Sequence, residues 1–399
     1  MKKLAILGST GSIGQSTLSI CESFPDRYEV VSLAAGHNLA EAFAQCTRWQ
    51  PKVVSLATET LADALAERLK EASLNQIEVV HGTAGTIRVA TLHEVDFVVS
   101  AIVGVAGLEA TYAAVCAGKT IGLANKECLV AAGDLILKAA RLHNVALLPI
   151  DSEHNAVHQC MRGGKPSEVK QIWLTASGGP FRSTPLAEFE HITPAQALKH
   201  PTWVMGQRIT IDSATMMNKG LEMIEARYLF GVTPEQIEVL IHPEQIIHSM
   251  VEYRDGSTLA QLGAPDMRTP IAIAYAWPDR LDWPAPPMDL AAMGALTFAS
   301  PDAERFPAIE IARTAMNAGG LAPAAMSAAN ETAVAAFLDR RIGFLDIAAT
   351  VAQTLERMDR TGDLRAGANA DGAVEIAMHA DRSARRVAND ILAQLQPSL

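Results

Sequence analysis

Lys3-Leu4-Ala5-Ile6-Leu7-Gly8-Ser9-Thr10-Gly11-Ser12-Ile13-Gly14 decides the fold. A short apolar run ends at a glycine, and a helix-compatible segment, Ile13 to Phe24, starts inside the glycine-spaced loop. Strand, glycine loop and helix in that order open a βαβ unit. Glycines let backbone approach a pyrophosphate, and the helix N-terminus supplies N–H donors and the positive end of its dipole. Ser9, Thr10 and Ser12 add hydroxyl donors. The spacing is GxxGxxG, not the commoner GxGxxG, and alone it would fit an ordinary glycine turn. Its place at the head of a βαβ pattern makes it a nucleotide loop.

Outward from this loop the pattern repeats. Strand-like segments at Glu29–Ala35, Val53–Leu56, Ile77–His81, Phe97–Ile102, Thr120–Ala124 and Val145–Ile150 are mostly separated by helical ones, such as Leu39–Trp49 and Thr60–Ala72. That alternation predicts a parallel sheet over residues 1–150. From Asp151 the pattern becomes α+β. Strands are expected at Ile172–Ala176, Val239–Ile241, Met250–Tyr253 and Thr258–Leu262, with one helix from about Ala214 to Phe230. We place a catalytic domain over 151–285, a proline-rich linker over 286–307 and an all-α domain over 308–399.

The end of the second strand selects the cofactor. NAD enzymes usually place an acid there for the ribose 2′-hydroxyl. Here it reads Ala34-Ala35-Gly36-His37-Asn38. Gly36 leaves room and His37 and Asn38 offer donors, so NADP(H) is expected over NAD(H). The plainer reading of His37 is a solvated loop histidine.

Asp151 and Glu153 follow a strand, and residues i and i+2 of a continuing strand share a face. Converging carboxylates repel unless a cation or proton sits between them. Oxygen-only ligands suit a hard cation such as Mg²⁺ or Mn²⁺. His154 is expected to point elsewhere. Alone, Asp-x-Glu is better read as a solvated strand end. The segment Ile211 to Glu222 shifts that balance. Asn218 and Glu222 are i, i+4 and Lys219 and Glu222 are i, i+3, so the three share a helix face. Met216, Met217, Leu221 and Ile224 make that helix largely apolar, so its polar cluster faces a site and not solvent. Glu222 offers a third carboxylate, and Ser213, Asn218 and Lys219 offer donors to phosphate. Ser177-Gly178-Gly179 after a strand could cradle phosphate, and Lys126 after another would place an amine where cofactor and substrate meet. Lys199 to Gly206, with His200 and Trp203, has the composition of an aromatic lid, although a lone Trp or His is more often packing.

The chain has 399 residues, 33 Lys+Arg against 44 Asp+Glu, and a net charge of −11. Nucleic acid and anionic membrane both need a basic surface, so neither is an expected partner. The five cysteines are odd in number and show no CxxC, which fits a reducing compartment. Leu4–Leu7 is too short for a signal h-region, and no apolar stretch approaches a membrane span. The expected location is the cytoplasm.

Eight blocks in order, GSTGSIG, ANKE, PIDSEHNA, SGGPFR, HPTWVMG, DSATMMNKGLE, LIHPEQIIHSMV and LAQLGAPDMRTPI, carry a resemblance to the 1-deoxy-D-xylulose 5-phosphate reductoisomerases. It runs from residue 1 to about 340 and more loosely to the end. The resemblance implies an N-terminal α/β Rossmann-like domain that binds NADPH, a central α+β domain for catalysis, metal binding and dimerisation, and a C-terminal all-α domain. It implies a homodimer that rearranges a ketose phosphate and reduces the resulting aldehyde to 2-C-methyl-D-erythritol 4-phosphate, an isoprenoid precursor. It requires Mg²⁺, Mn²⁺ or Co²⁺.

Carried over by motif, Asp151, Glu153 and Glu222 match the metal ligands and, with Lys126, the catalytic set. Thr10, Gly11, Ser12, Ile13, Gly36, His37, Asn38, Asn125, Glu127 and Gly206 match the cofactor positions. Lys126, Ser152, Glu153, Ser177, His200, Ser213, Asn218, Lys219 and Glu222 match the substrate positions, and Trp203 and Met205 match the lid. Two positions depart from the family: His37, where relatives often carry lysine, and Cys128 after ANKE, where serine is usual. Two other readings remain at this point. One is an NADP semialdehyde dehydrogenase, which would need a catalytic cysteine and no carboxylate triad. The other is an NADP-binding module without chemistry.

Overall fold

The computed structural model describes residues 1–199, 205–365 and 374–395. The chain forms two compact units. The first comprises Met1–Cys128, Asp134–Asn155 and Asp266–Ala285. The second comprises Leu129–Gly133, Ala156–Pro265 and Pro286–Leu399.

Seven parallel strands build the first unit: β1 (Lys2–Leu7), β2 (Tyr28–Gly36), β3 (Val53–Leu56), β4 (Glu78–His81), β5 (Phe97–Ser100), β6 (Thr120–Leu123) and β7 (Leu147–Pro149). Their order is β4-β3-β2-β1-β5-β6-β7. The order reverses between β1 and β5, and such a switch point opens a crevice at the carboxyl ends of the strands. The strands read as near-continuous apolar runs because helices cover both faces. Leu4, Ile6, Leu33, Val54, Phe97 and Val99 form a buried core with Tyr275. Tyr275 lies on the helix Arg268–Ala276, which returns to this unit after the chain has built part of the second. Its ring meets Phe97 edge-on with centroids 5.2 Å apart, a geometry worth about 0.5–1.5 kcal/mol beyond area burial.

The second unit holds a mixed sheet of β8 (Val169–Ala176), β9 (Ile237–Ile241), β10 (Ile247–Tyr253) and β11 (Thr258–Leu262), in the order β11-β10-β8-β9. β8 and β9 run parallel and need a crossover, which carries the helices Pro194–Ala197, Gln207–Ala214 and Met217–Phe230. The helix expected from about Ala214 to Phe230 is present as Met217–Phe230, and an unexpected helix, Gln207–Ala214, precedes it. Met216 sits between them at φ +65°. The hydroxyl of Thr215 bonds back to Ile211 O at 3.1 Å and accepts Met217 N at 3.3 Å, which closes the first helix and opens the second.

From Ala308 the described residues are helical, in Ala308–Ala318, Ala322–Leu338, Phe344–Thr361 and Val374–Leu392, as the alanine-rich pattern predicts. The helix Ala322–Leu338 is buried along almost its whole length, and alanine lets its neighbours approach closely. Between Trp277 and Pro301 the one helical turn is Leu290–Met293, and Ala299 pairs with Ile241 in an isolated bridge. Among the described residues no helix is long and apolar enough to cross a membrane.

Candidate active site

In the first unit every predicted site residue falls at the carboxyl edge of the parallel sheet. Gly8 lies at φ +86°, and a Cβ there would stand 2.5 Å from Ala101 O, in the loop after β5. Gly14 is equally confined, 2.4 Å from Gly8 O. Only glycine permits this loop to turn so close to its neighbour. Gly11 then starts the helix Ser12–Ser23, whose first turn carries no acid. Thr10 donates its hydroxyl to Ala35 O at 2.8 Å, tying the loop to the end of β2. At that end Gly36, His37 and Asn38 are exposed, and Asn38 caps the next helix by accepting Glu41 N at 3.1 Å. That capping duty was not expected from sequence.

After β6 come Asn125, Lys126 and Glu127, all buried. The Asn125 amide donates to Ile102 O and, at 2.9 Å, to Gly104 O, and so holds the loop that follows β5. Lys126 Nζ reaches Asp151 Oδ2, after β7, at 2.8 Å. Cys128 is buried with its thiol 3.7 Å from the Thr111 hydroxyl.

The strand does not continue through Asp151. β7 ends at Pro149, and Ser152–Cys160 is a helix. Asp151 acts as its cap, accepting Glu153 N at 3.2 Å on the side chain and Asn155 N at 2.8 Å on the backbone. The strand-face argument for Asp151 and Glu153 therefore fails, because an aspartate cap satisfies the free N–H groups of the first turn. His154 does not point away. Its Nδ1 lies 3.0 Å from Asp151 Oδ1. Burial alone would push the Asp151 carboxyl up, but the Lys126 ammonium and the His154 ring outweigh it and hold it well below the usual carboxylate range. The Glu153 carboxylate accepts the Ser152 hydroxyl at 2.7 Å. The missed residue His154 was legible as the fourth residue of a cap pattern, Asp-Ser-Glu-His.

In the second unit Ser177 is buried, and its hydroxyl accepts Gly179 N at 3.1 Å. Gly179 lies at φ +67°, where a Cβ would meet Ser213 O at 2.8 Å, so glycine alone lets the serine loop abut the helix end that carries Ser213. Beyond the Met216 turn, Lys219 and Asn218 both donate to Glu222, as the i, i+3 and i, i+4 spacing predicts. Lys219 and Glu222 are buried, as is Glu225 one turn on, a second acid that the sequence reading passed over. Gly206 is exposed at the start of the helix Gln207–Ala214, and Met205 is half-buried beside it. His200 and Trp203 lie outside the described residues.

With this geometry in place, comparison with known proteins is specific. Family models described as 1-deoxy-D-xylulose 5-phosphate reductoisomerase match residues 4–133, its C-terminal domain matches 147–230, and the DXP reductoisomerase C-terminal domain matches 262–387. The 1-deoxy-D-xylulose 5-phosphate reductoisomerase of Caulobacter vibrioides is 54% identical over 98% of this chain and 97% of its own. That of Methylococcus capsulatus is 49% identical over 99% and 100%. The solved Zymomonas mobilis reductoisomerase in complex with NADPH is 45% identical, with a TM-score of 0.90 over 99% of this chain and 100% of that one. A DOX-P reductoisomerase in complex with NADPH, fosmidomycin and magnesium is 42% identical, with a TM-score of 0.94 over 98% of each chain. The chain belongs to the 1-deoxy-D-xylulose 5-phosphate reductoisomerase family.

Proposed function

We propose that this enzyme uses NADPH and a divalent cation to rearrange and reduce 1-deoxy-D-xylulose 5-phosphate to 2-C-methyl-D-erythritol 4-phosphate, a step toward isoprenoid precursors. Beside family membership, one observation carries the reading. The glycine loop after β1 and the Lys126–Asp151–His154 cluster after β6 and β7 occupy the same edge of one parallel sheet. A nucleotide and a charged reaction centre are thus served by a single scaffold.

The donors fit a hard cation. Asp151, Glu153 and Glu222 offer only oxygen, and His154 orients the Asp151 carboxylate as outer partners of ligating groups do. We assign these three carboxylates to the metal. A bound divalent cation would supply Lewis-acid polarisation of the ketose carbonyl and NADPH the reducing equivalent. The remaining work falls to the chain. Thr10, Gly11, Ser12 and Ile13 would present backbone N–H groups, and Ser12 its hydroxyl, to the dinucleotide pyrophosphate, while the Thr10 hydroxyl holds the loop on Ala35 O. Gly36, His37 and Asn38 would meet its 2′-phosphate, and Asn125, Glu127 and Gly206 would complete its site. Ser152 reaches substrate oxygens beside Glu153. Ser177, Ser213, Asn218 and Lys219 hold the substrate phosphate and so fix the reacting carbons. Lys126 Nζ donates to the oxygen on which negative charge develops.

The test follows NADPH absorbance with purified protein. Oxidation that needs both 1-deoxy-D-xylulose 5-phosphate and Mg²⁺, and stops on chelation, is expected. Protein that binds NADPH but never oxidises it would instead be a binding module. We further propose a cytoplasmic homodimer, supported by the family and by cysteines that form no disulfide. Light scattering then gives twice the 42.5 kDa chain mass.

A further inference from the structure

The helix Gln207–Ala214 carries Ser213 near its end, and its polar side is bonded to the helix Ala322–Leu338 of the same unit, which Val374–Leu392 braces in turn. Asn330, wholly buried on Ala322–Leu338, donates Nδ2 to Asp212 Oδ1 at 2.6 Å. The next residue, Glu331, takes Arg208 Nη1 at 2.7 Å with one oxygen and Arg385 with the other. Arg385, on Val374–Leu392, is held in turn by Asp381 at 2.7 Å. Asp212 precedes Ser213 directly, and Arg208 lies one turn before Asp212 with Nε 3.5 Å from its carboxylate.

This network answers a mechanical need. The apolar side of the helix, Ile211 and Ala214, packs in a core rich in alanine, including Ala325, Ala328, Ala329 and Ala333. Small smooth side chains set the distance between helices and do little to fix rotation about the helix axis. Directed bonds from Asn330 and Glu331 fix it, and with it the direction of the Ser213 hydroxyl. The backbone oxygen of Ser213 lies close against Gly179, whose loop carries Ser177. Asn330 Oδ1 finds no hydrogen-bond partner among the described residues, so this buried amide is used through its donor alone.

We propose that Asn330 and Glu331 are positioning residues for the phosphate end of the substrate. They act through Asp212 and Arg208 to hold Ser213 against the Ser177 loop, and they do not touch the substrate. The inference rests on the assignment of Ser177 and Ser213 to the substrate phosphate.

Steady-state kinetics of full-length Asn330→Ala, with NADPH and Mg²⁺, test it. The KM for 1-deoxy-D-xylulose 5-phosphate should rise about tenfold, the scale of one lost bond to a charged acceptor. The KM for NADPH should stay within about twofold and kcat should fall less than the ketose phosphate KM rises. The exchange Asp212→Asn with Asn330→Asp restores an amide–carboxylate pair and should recover most of the KM, which a general packing defect would not allow. If Asn330→Ala does not fold, Glu331→Gln, of nearly the same shape, should raise the same KM by a smaller factor. Unchanged ketose phosphate KM in the folded variants, or a loss confined to kcat, would overturn the proposal. An inactive wild type would instead overturn the function itself.

Discussion

Lys126 meets Asp151 across two strands and a helix, whereas Lys219 meets Glu222 within a single helical turn. Lys126, Lys219 and Glu222 are buried and Asp151 is partly so, and each pair puts an ammonium on a carboxylate that we assign to the metal. The first pair exists only when β6 and β7 are in register, so its geometry reports the whole parallel sheet. The second depends on the Met217–Phe230 helix alone and adds Asn218 from the same face. A pair of this kind loses heavily if one partner is removed, because the other stays behind without its countercharge. The chain thus uses a tertiary pair to place the Lys126 amine on Asp151 and a local pair to hold the Glu222 carboxylate.

Breaking the local pair should have the largest effect. Glu222→Gln keeps the shape of the side chain and removes its charge. Metal-dependent turnover should fall about a thousandfold, since Lewis-acid stabilisation is worth several kcal/mol. NADPH affinity, followed by fluorescence, should stay nearly unchanged, because the glycine loop belongs to the other unit. A variant that loses NADPH affinity yet titrates normally with Mg²⁺ would contradict the assignment of Glu222.

The same contrast explains what could be read from sequence. Lys219, Asn218 and Glu222 were legible as a cluster because helical spacing is local and periodic. The glycine loop and most strands of the first unit were legible for a similar reason. The Lys126–Asp151 contact was not, because no periodicity links the ends of two strands; only the rule that ligands gather at carboxyl edges pointed there. Asp151 itself misled, since a residue after a short strand reads equally well as more strand or as a helix cap. The break at Thr215–Met216 was hidden because Met216 gives no sign of φ +65°. Nothing in the apolar segment Arg268–Ala276 signals that it returns to the first sheet.

Breaking the tertiary pair should cost somewhat less. Lys126→Ala removes the donor that we assign to developing charge, and kcat should fall about 10²- to 10³-fold. Mg²⁺ should still support the residual rate, because the carboxylates remain. If Lys126→Ala instead changes only the Mg²⁺ requirement and leaves kcat at saturating metal intact, the lysine serves the Asp151 carboxylate and not the substrate.

His154 sharpens the comparison further, because it is to Asp151 what Asn218 is to Glu222, a third member that meets the carboxylate. Its ring meets Asp151 Oδ1 while Lys126 meets Oδ2, so the two groups fix the carboxylate through different oxygens. His154→Ala should therefore weaken Mg²⁺ dependence by about 10- to 100-fold, the usual scale for an outer partner of a ligating group. Saturating Mg²⁺ should recover much of kcat, which separates orientation of a ligand from participation in chemistry. His154→Gln, which retains a donor for Asp151, should lie between wild type and alanine. Equal Mg²⁺ titrations for wild type and His154→Ala would mean that Lys126 and the helix cap suffice to orient Asp151. The tertiary pair would then be as self-contained as the local one.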